Sequence, residues 1–145
     1  MISLTIEKVL NTDPITKKTF IGVFAKDMLP NKVPYPSCLV FNTDNHTEPG
    51  EHWLALHYNE HGVCNFFDSY GQHPSAYKME AYLKRTATKW TYNMKTIQGL
   101  SSYCGFYCLF FLLFKCRNNS KAFFKQFTSN TLKNDEFIKN EMDNL

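Results

Sequence analysis

The chain of 145 residues is long enough to form one hydrophobic core, and we expect a single domain over residues 1–145. Its hydrophobic fraction of 43% and aromatic fraction of 16% exclude a disordered chain and indicate a globular one with an aromatic interior. The formal net charge of +3 is too small to predict a nucleic-acid-binding protein, since no basic stripe with interleaved aromatic residues is evident.

The first elements predicted are a helix and two strands. The spacing of apolar residues predicts a short helix over Ile2–Leu10. Strands are expected over Phe20–Ala25 and Ser37–Asn42, joined by an extended connector that contains three prolines. A polar stretch with a turn at Pro49-Gly50 follows.

A β-hairpin is predicted in the middle of the chain. Its strands are His52–Tyr58 and Val63–Phe67, with a turn at Asn59–Gly62 between them. In an antiparallel hairpin, the start of one strand and the end of the next lie at the same edge of the sheet. We therefore expect His52 to lie near Asp68, the residue that follows the second strand.

The second half of the chain is predicted to be mainly helical. A surface helix is expected over Ser75–Lys84, and a short edge strand over Lys89–Tyr92. The apolar run Cys104–Phe114 has the length of a buried helix and is far shorter than the ~20 residues that cross a bilayer. Two further helices are expected over Lys121–Phe127 and Leu132–Met142.

These elements predict an α+β fold. A largely antiparallel sheet would lie at its centre, with the helix that begins at Cys104 packed against the sheet. No contact with a membrane is expected.

The cysteines favour free thiols over a disulfide framework. Their number is odd, no two form a C-x-x-C pair, and no N-terminal signal peptide is evident. We therefore expect a reducing intracellular compartment. The five are Cys38, Cys64, Cys104, Cys108 and Cys116.

Cys104 is the candidate nucleophile. It stands between a polar, glycine-containing loop and the apolar run, and so at the first turn of the predicted helix. The free N–H groups and the positive end of the helix dipole stabilise a thiolate there. The alternative is a buried structural cysteine of a core helix.

A thiol nucleophile needs a base and a group that orients the base. His52 and Asp68 are the candidates for these two roles. Gln98, in the loop before Cys104, is the candidate donor to an oxyanion, together with the backbone N–H of Cys104. Each also has a structural alternative: His52 as a half-buried structural residue, Asp68 as a turn former, and Gln98 as a loop cap.

A metal site is not expected. His57 and His61 are predicted to lie on a strand and its turn, and not on one helix face as in a metalloprotease motif. Cys104 and Cys108 share a helix face, but no second pair of ligands accompanies them.

The order of His52-Trp53, Asp68 within F-D-S-Y-G, Gln98 and Cys104-Gly105 resembles the adenain clan of cysteine proteases. This clan includes the adenovirus maturation protease and, more distantly, the SUMO-deconjugating proteases. The resemblance covers about Thr19 to Phe114. Its further blocks are Phe20-Ile21-Gly22-Val23, Cys38–Thr43 (CLVFNT), Gly50–Ala55 (GEHWLA), Phe67–Gly71 and Cys104–Cys108 (CGFYC).

The resemblance implies an adenain-like, permuted papain-like fold and a role for each site residue. Cys104 would be the nucleophile, His52 the base, Asp68 the orienting acid and Gln98 part of the oxyanion hole. Trp53 would shield the histidine and narrow the substrate channel. Proteases of this type cut after glycine in short motifs.

The resemblance also implies partners and a location. The substrates would be capsid or core precursors of a virus or virus-like element, cut during virion maturation. The sequence requires no cofactor, although a peptide or DNA activator is suggested by analogy. The site of action would be the host nucleus or cytoplasm, and the virion.

The sequence departs from the adenovirus pattern in two ways that leave alternatives open. Asp68 replaces a glutamate, as in the SUMO-protease branch, and Thr86–Ile97 lacks the cysteine through which an activating peptide attaches. One alternative is an isopeptidase that removes ubiquitin-like modifiers with the same Cys, His and Asp. Another is a catalytically inactive binding module with the same fold.

Overall fold

A mixed five-stranded sheet forms the centre of the fold in a computed structural model that describes residues 2–44, 47 and 52–145. The strands lie side by side in chain order. They are β1 (Phe20–Ala25), β2 (Ser37–Asn42), β3 (Trp53–Tyr58), β4 (Val63–Phe67) and β5 (Lys89–Tyr92). All five coincide with the predicted strands, except that His52 directly precedes β3.

The direction of the strands changes between the centre and the edges of the sheet. β3 runs antiparallel to both β2 and β4, as predicted for a largely antiparallel sheet. The β1–β2 and β4–β5 pairs at the two edges are parallel. Each parallel pair requires a crossover, which residues 26–36 and 68–88 supply.

Five helices lie in the described part of the chain. They are α1 (Ile2–Thr12), α2 (Glu80–Thr86), α3 (Cys104–Lys115), α4 (Ser120–Lys125) and α5 (Thr131–Asp143). Four of them match the predicted helices to within about two residues, and the α+β class is confirmed. No helix in these described ranges is long and apolar enough to cross a membrane.

The helix predicted over Ser75–Lys84 is wrong in its extent. A short 3-10 turn over Pro74–Tyr77 ends at Lys78, whose φ of 56° is left-handed, and α2 begins only at Glu80. The side chain of His73 accepts a hydrogen bond from the Ser75 N–H and so caps the start of the turn. Tyr77 therefore lies in the 3-10 turn and not in an α-helix.

The sheet separates two apolar clusters. Cys38 and Val40 of β2 pack with α1, α3 and the helices that follow, whereas Leu39 and Phe41 pack with α2. This alternation is the period of two expected for a strand that is buried on both faces. The predicted Pro49-Gly50 turn and the first two residues of the GEHWLA block lie outside the described residues.

Candidate active site

Cys104 lies at the predicted position, as the first residue of α3. Its side chain is 5% exposed and belongs to the cluster between α1, α3 and the sheet. Gly105 allows α1 to pack closely there, because a Cβ on it would lie 2.6 Å from Cδ1 of Ile2. The sulfur thus lies at the N-terminus of α3 and is largely shielded from water.

His52 and Asp68 are brought together at one edge of the sheet. His52 precedes β3 and Asp68 follows β4, the antiparallel partner of β3. Nε2 of His52 lies 2.7 Å from Oδ1 of Asp68. The carboxylate is fully buried, so a hydrogen bond to the imidazole is worth more here than on the surface.

His52 also interacts with the side chain of Cys104. Burial alone lowers the pKa of His52, but the hydrogen bonds to Asp68 and Cys104 outweigh it and raise the pKa to about 9. At neutral pH the imidazole therefore carries a proton. His52 therefore interacts with Cys104 on one side and with Asp68 on the other.

Asp68 is held by four hydrogen bonds to its carboxylate. Besides His52, the N–H groups of Tyr70 and Gln72 donate at 3.0 and 3.1 Å, and the hydroxyl of Tyr77 donates to Oδ2 at 2.6 Å. Burial raises the pKa of Asp68, but these bonds outweigh it and leave the pKa below its usual value. The Asp68 carboxyl group is therefore ionised at neutral pH, and the four hydrogen bonds hold it in position.

Two tyrosines that are not among the predicted site residues enclose His52. The rings of Tyr70 and Tyr77 stack on the imidazole, with centroids at 4.8 and 5.6 Å. Tyr77 thereby contacts both the imidazole and the carboxylate. Tyr77 falls within the helix predicted over Ser75–Lys84, but in the structure it is the last residue of the 3-10 turn that precedes the left-handed Lys78.

Asn93 directly follows β5 and holds the backbone of Asp68 through two hydrogen bonds. Its Oδ1 accepts from the Asp68 N–H at 2.9 Å, and its Nδ2 donates to the Asp68 carbonyl at 2.6 Å. Gly71, with a φ of 69°, closes the turn, and a Cβ there would meet the carbonyl of Lys95 at 2.5 Å. The turn after Asp68 thus packs directly on the chain that leads to Cys104.

Gln98 lies in that chain and is buried. Its Oε1 accepts from the hydroxyl of Ser69, and its Nε2 donates to the carbonyl of Ser101 at 2.8 Å. The side-chain amide therefore joins the turn after Asp68 to the loop before Cys104. Its predicted role as a donor to an oxyanion stays a prediction.

Helix α5 anchors the same loop from the other side. Asn134 donates to the carbonyl of Ile97 at 2.9 Å, and both carboxylate oxygens of Asp135 accept from the Gly99 N–H. The hydroxyl of Tyr107 on α3 also donates to Asp135, at 2.7 Å. Nothing in the sequence near Asn134 signals its bond to Ile97, because Ile97 lies 37 residues earlier.

Trp53 begins β3 and is 8% exposed, within the cluster that contains Cys104. Its predicted role in a substrate channel stays a prediction. Among the residues that the structure describes, no three His, Cys, Asp or Glu side chains are grouped so that they could hold a metal ion.

The chain is related in sequence to a viral protease. It is 32% identical over 112 residues to the protease of human adenovirus B serotype 3, an alignment that covers 64% of this chain and 52% of that protein. The chain therefore spans about half the length of the curated relative it matches. No protein-family model matches it.

Two solved structures share the fold. The crystal structure of a protease of ASFV superimposes with a TM-score of 0.59 at 21% identity, over 91% of this chain and 62% of that one. ChlaDub1 from Chlamydia trachomatis superimposes with a TM-score of 0.50 at 14% identity, over 74% and 57% of the two chains. The described residues thus have the fold of these two proteins.

Proposed function

We propose that this chain, an adenain-like protein by sequence and fold, is a cysteine endopeptidase whose nucleophile is Cys104. The observation that supports this most directly is that His52 interacts with both Cys104 and Asp68. Cys104 is the first residue of α3. A thiol, a protonated imidazole and an orienting carboxylate in contact are what nucleophilic acyl transfer requires.

In the proposed mechanism, the Cys104 thiolate attacks the carbonyl carbon of the scissile peptide bond. The His52 imidazolium gives its proton to the leaving amine, and an acyl-enzyme remains. His52 then takes a proton from water, which attacks the thioester and releases the acid and the thiolate. Asp68 holds the imidazole in orientation throughout, and the Cys104 N–H with Gln98 would stabilise the oxyanion.

The proposed substrates are structural precursors of a virus or virus-derived element, cut after glycine-containing motifs. The relationship to the adenovirus protease supports this substrate class. A peptide or DNA activator, and action in the host nucleus, the cytoplasm or the virion, belong to the same proposal. The net charge of +3 gives DNA only weak electrostatic support.

A second candidate is an isopeptidase that acts on ubiquitin-like modifiers. The observation that favours it is the third residue of the site, because Asp68 is the acid found in the SUMO-protease branch that the sequence resembles. Both reactions would use the same three side chains on different substrates.

Cleavage profiling tests the two candidates together. A peptide library and a panel of ubiquitin-like fluorogenic substrates would be incubated with the protein and with Cys104→Ala, each with and without DNA. We expect cleavage after glycine in peptides and none by Cys104→Ala. Cleavage of the modifier substrates alone would support the isopeptidase. No cleavage in any arm, with no selective labelling of Cys104 by a vinyl sulfone, would identify an inactive module.

A further inference from the structure

A second group of thiol and imidazole side chains lies at the far end of α3 from Cys104. Cys116 directly follows α3, and Cys38 lies on β2. Their sulfurs are 3.8 Å apart, and the hydroxyl of Thr19 is 3.9 Å from each. His57, the cross-strand neighbour of Cys38, contacts Cys116. None of these residues belongs to the proposed catalytic set.

The two sulfurs have unequal surroundings. Cys116 is partly exposed, whereas Cys38 has no exposed surface. The hydrogen bond from Cys38, followed by the contact with His57, lowers the pKa of Cys116. The hydrogen bond to Cys116 and burial raise the pKa of Cys38. The partly exposed sulfur of Cys116 is thus the one that a soluble oxidant can reach, and the buried sulfur of Cys38 lies beside it, which is the arrangement of an attacking and a resolving cysteine.

Basic side chains surround the sulfur of Cys116. His57 faces it from β3, and Lys115 and Arg117 flank it in the chain and interact with its charge. The cations of Lys115 and Arg117 favour a thiolate at Cys116 and the departure of an anionic leaving group. The two thiols and His57 are not arranged as metal ligands, since the described residues contain no group able to hold a metal ion.

We propose that Cys116 and Cys38 are a redox-active dithiol that closes to a disulfide on reaction with a hydroperoxide. The Cys116 thiolate attacks one peroxide oxygen, the O–O bond breaks, and an alcohol or water leaves after taking up a proton. Cys116 is then a sulfenic acid. The sulfur of Cys38 attacks it, the S–S bond forms, and hydroxide leaves as water with the Cys38 proton. The two thiols lose two electrons and the peroxide gains them.

The reaction needs only a small movement. The sulfurs must approach by about 1.8 Å to reach the ~2.05 Å of a disulfide bond. Cys64 and Cys108 are fully buried, so they should not compete for a soluble oxidant. The disulfide would join the C-terminal end of the helix that bears Cys104 to the centre of the sheet.

The test uses the full chain with Cys104→Ala, which removes the proposed catalytic thiol and leaves four of the five cysteines. The protein is treated with hydrogen peroxide at neutral pH, blocked with N-ethylmaleimide, and examined by intact and peptide mass spectrometry. We expect the loss of two of the four free thiols and a peptide pair linked through Cys38 and Cys116. Dithiothreitol should restore both thiols.

Two matched variants assign the attacking and resolving roles. With Cys38→Ser, Cys116 should stop at the sulfenic acid and form a dimedone adduct. With Cys116→Ser, Cys38 should stay a free thiol. The proposal is overturned if the linked peptide is absent at peroxide concentrations that oxidise Cys104 in the unsubstituted protein. Because the readout is a mass, it does not depend on peptidase activity, and the Cys104→Ala result stands even if a serine variant fails to fold.

Discussion

At the scale of single residues, the charge of Asp68 determines the protonation of His52. Burial lowers the pKa of His52, but the imidazole keeps its proton up to about pH 9 because the hydrogen bond to the Asp68 carboxylate, at 2.7 Å, and the one to Cys104 outweigh it. A raised pKa of this kind means that the imidazolium is present below pH 9 and is lost as the pH rises through that value. The proposed general acid should therefore fail on the alkaline side.

We expect Asp68→Asn to move the alkaline limit of kcat/KM from about pH 9 to a lower pH. The asparagine keeps the size of the side chain but removes the charge that favours the imidazolium. The rate at pH 7 should fall by up to ~10⁴-fold while some activity remains, since the nucleophile is intact. The measurement is a pH profile of peptide cleavage.

The control for this variant is Asp143→Asn, which changes the same charge at an exposed position on α5. It should leave the profile unchanged. An alkaline limit that stays at the same pH in Asp68→Asn would show that Asp68 does not set the protonation of His52.

Tyr77→Phe should destabilise the protein in a pH-dependent way. It removes the hydroxyl that donates to Asp68 but keeps the ring stacked on His52. The loss of one hydrogen bond to a buried carboxylate should cost about 1.5–3 kcal/mol of unfolding free energy at pH 7. The measurement is urea denaturation at several pH values.

The pH dependence supplies its own control. Tyr77 helps to lower the pKa of Asp68, so its contribution is present above pH 3.8 and is lost as the pH falls through the folded-state pKa. The difference between Tyr77→Phe and the parent should shrink in acid. A difference that is constant with pH would mean that the hydroxyl acts through packing alone.

At the scale of elements, α5 acts on the site through the loop before Cys104. Asn134 is buried and hydrogen bonds to Ile97 and to both the N–H and the carbonyl of Thr128. Asn134→Ala removes these three hydrogen bonds, of which the one to the Ile97 carbonyl is buried, at a cost of about 1–3 kcal/mol. Peptide cleavage should also slow, because residues 97–103 lose an anchor. Denaturation and cleavage rates check both effects.

Asn140→Ala is the matched control, because Asn140 is an exposed asparagine on the same helix. It should change stability by less than ~0.5 kcal/mol and leave cleavage unaffected. Equal effects of the two substitutions would contradict an anchoring role for Asn134.

The sequence predicted well those elements that depend on the local order of apolar and polar residues. The hairpin of β3 and β4 follows from two apolar runs and a turn containing Gly62, and it brings His52 to the same edge of the sheet as Asp68. The beginning of α3 at Cys104 follows from the change from a polar loop to an apolar run.

The features that the sequence did not predict depend on distant contacts. Tyr77 donates to Asp68 from the end of a 3-10 turn that stops at the left-handed Lys78, where the sequence predicted a continuous helix. β5 pairs with β4 in parallel after the long crossover of residues 68–88, and the sequence of β5 alone does not indicate this direction. Gln98 has its predicted loop position, but its partners Ser69 and Ser101 could not be read from spacing.

At the scale of the whole molecule, aromatic packing joins the helices to the sheet. Phe111 of α3 stacks on Phe67 of β4, with ring centroids 4.4 Å apart and planes within 8° of parallel. Phe123 of α4 meets both rings edge-on. Since Phe67 directly precedes Asp68, this packing also supports the position of the carboxylate.

Phe111→Ala should therefore cost about 3–5 kcal/mol of unfolding free energy, the usual loss for a buried phenylalanine. Leu132→Ala, at a position 68% exposed on α5, is the control and should change stability by less than ~0.5 kcal/mol. Chemical denaturation measures both. A loss below 1 kcal/mol in Phe111→Ala would mean that α3 is held mainly by other contacts.

The thiols at the two ends of α3 also affect how the concentration of active sites can be measured by thiol titration. The 12 residues of the helix separate Cys104 from Cys116 by about 18 Å, and Cys116 is the more exposed of the two. A small alkylating reagent would therefore react with Cys116 first. The measured number of reactive thiols would then exceed the number of active sites. A titrant with a peptide moiety, or a protein that carries Cys116→Ser, would give the correct concentration.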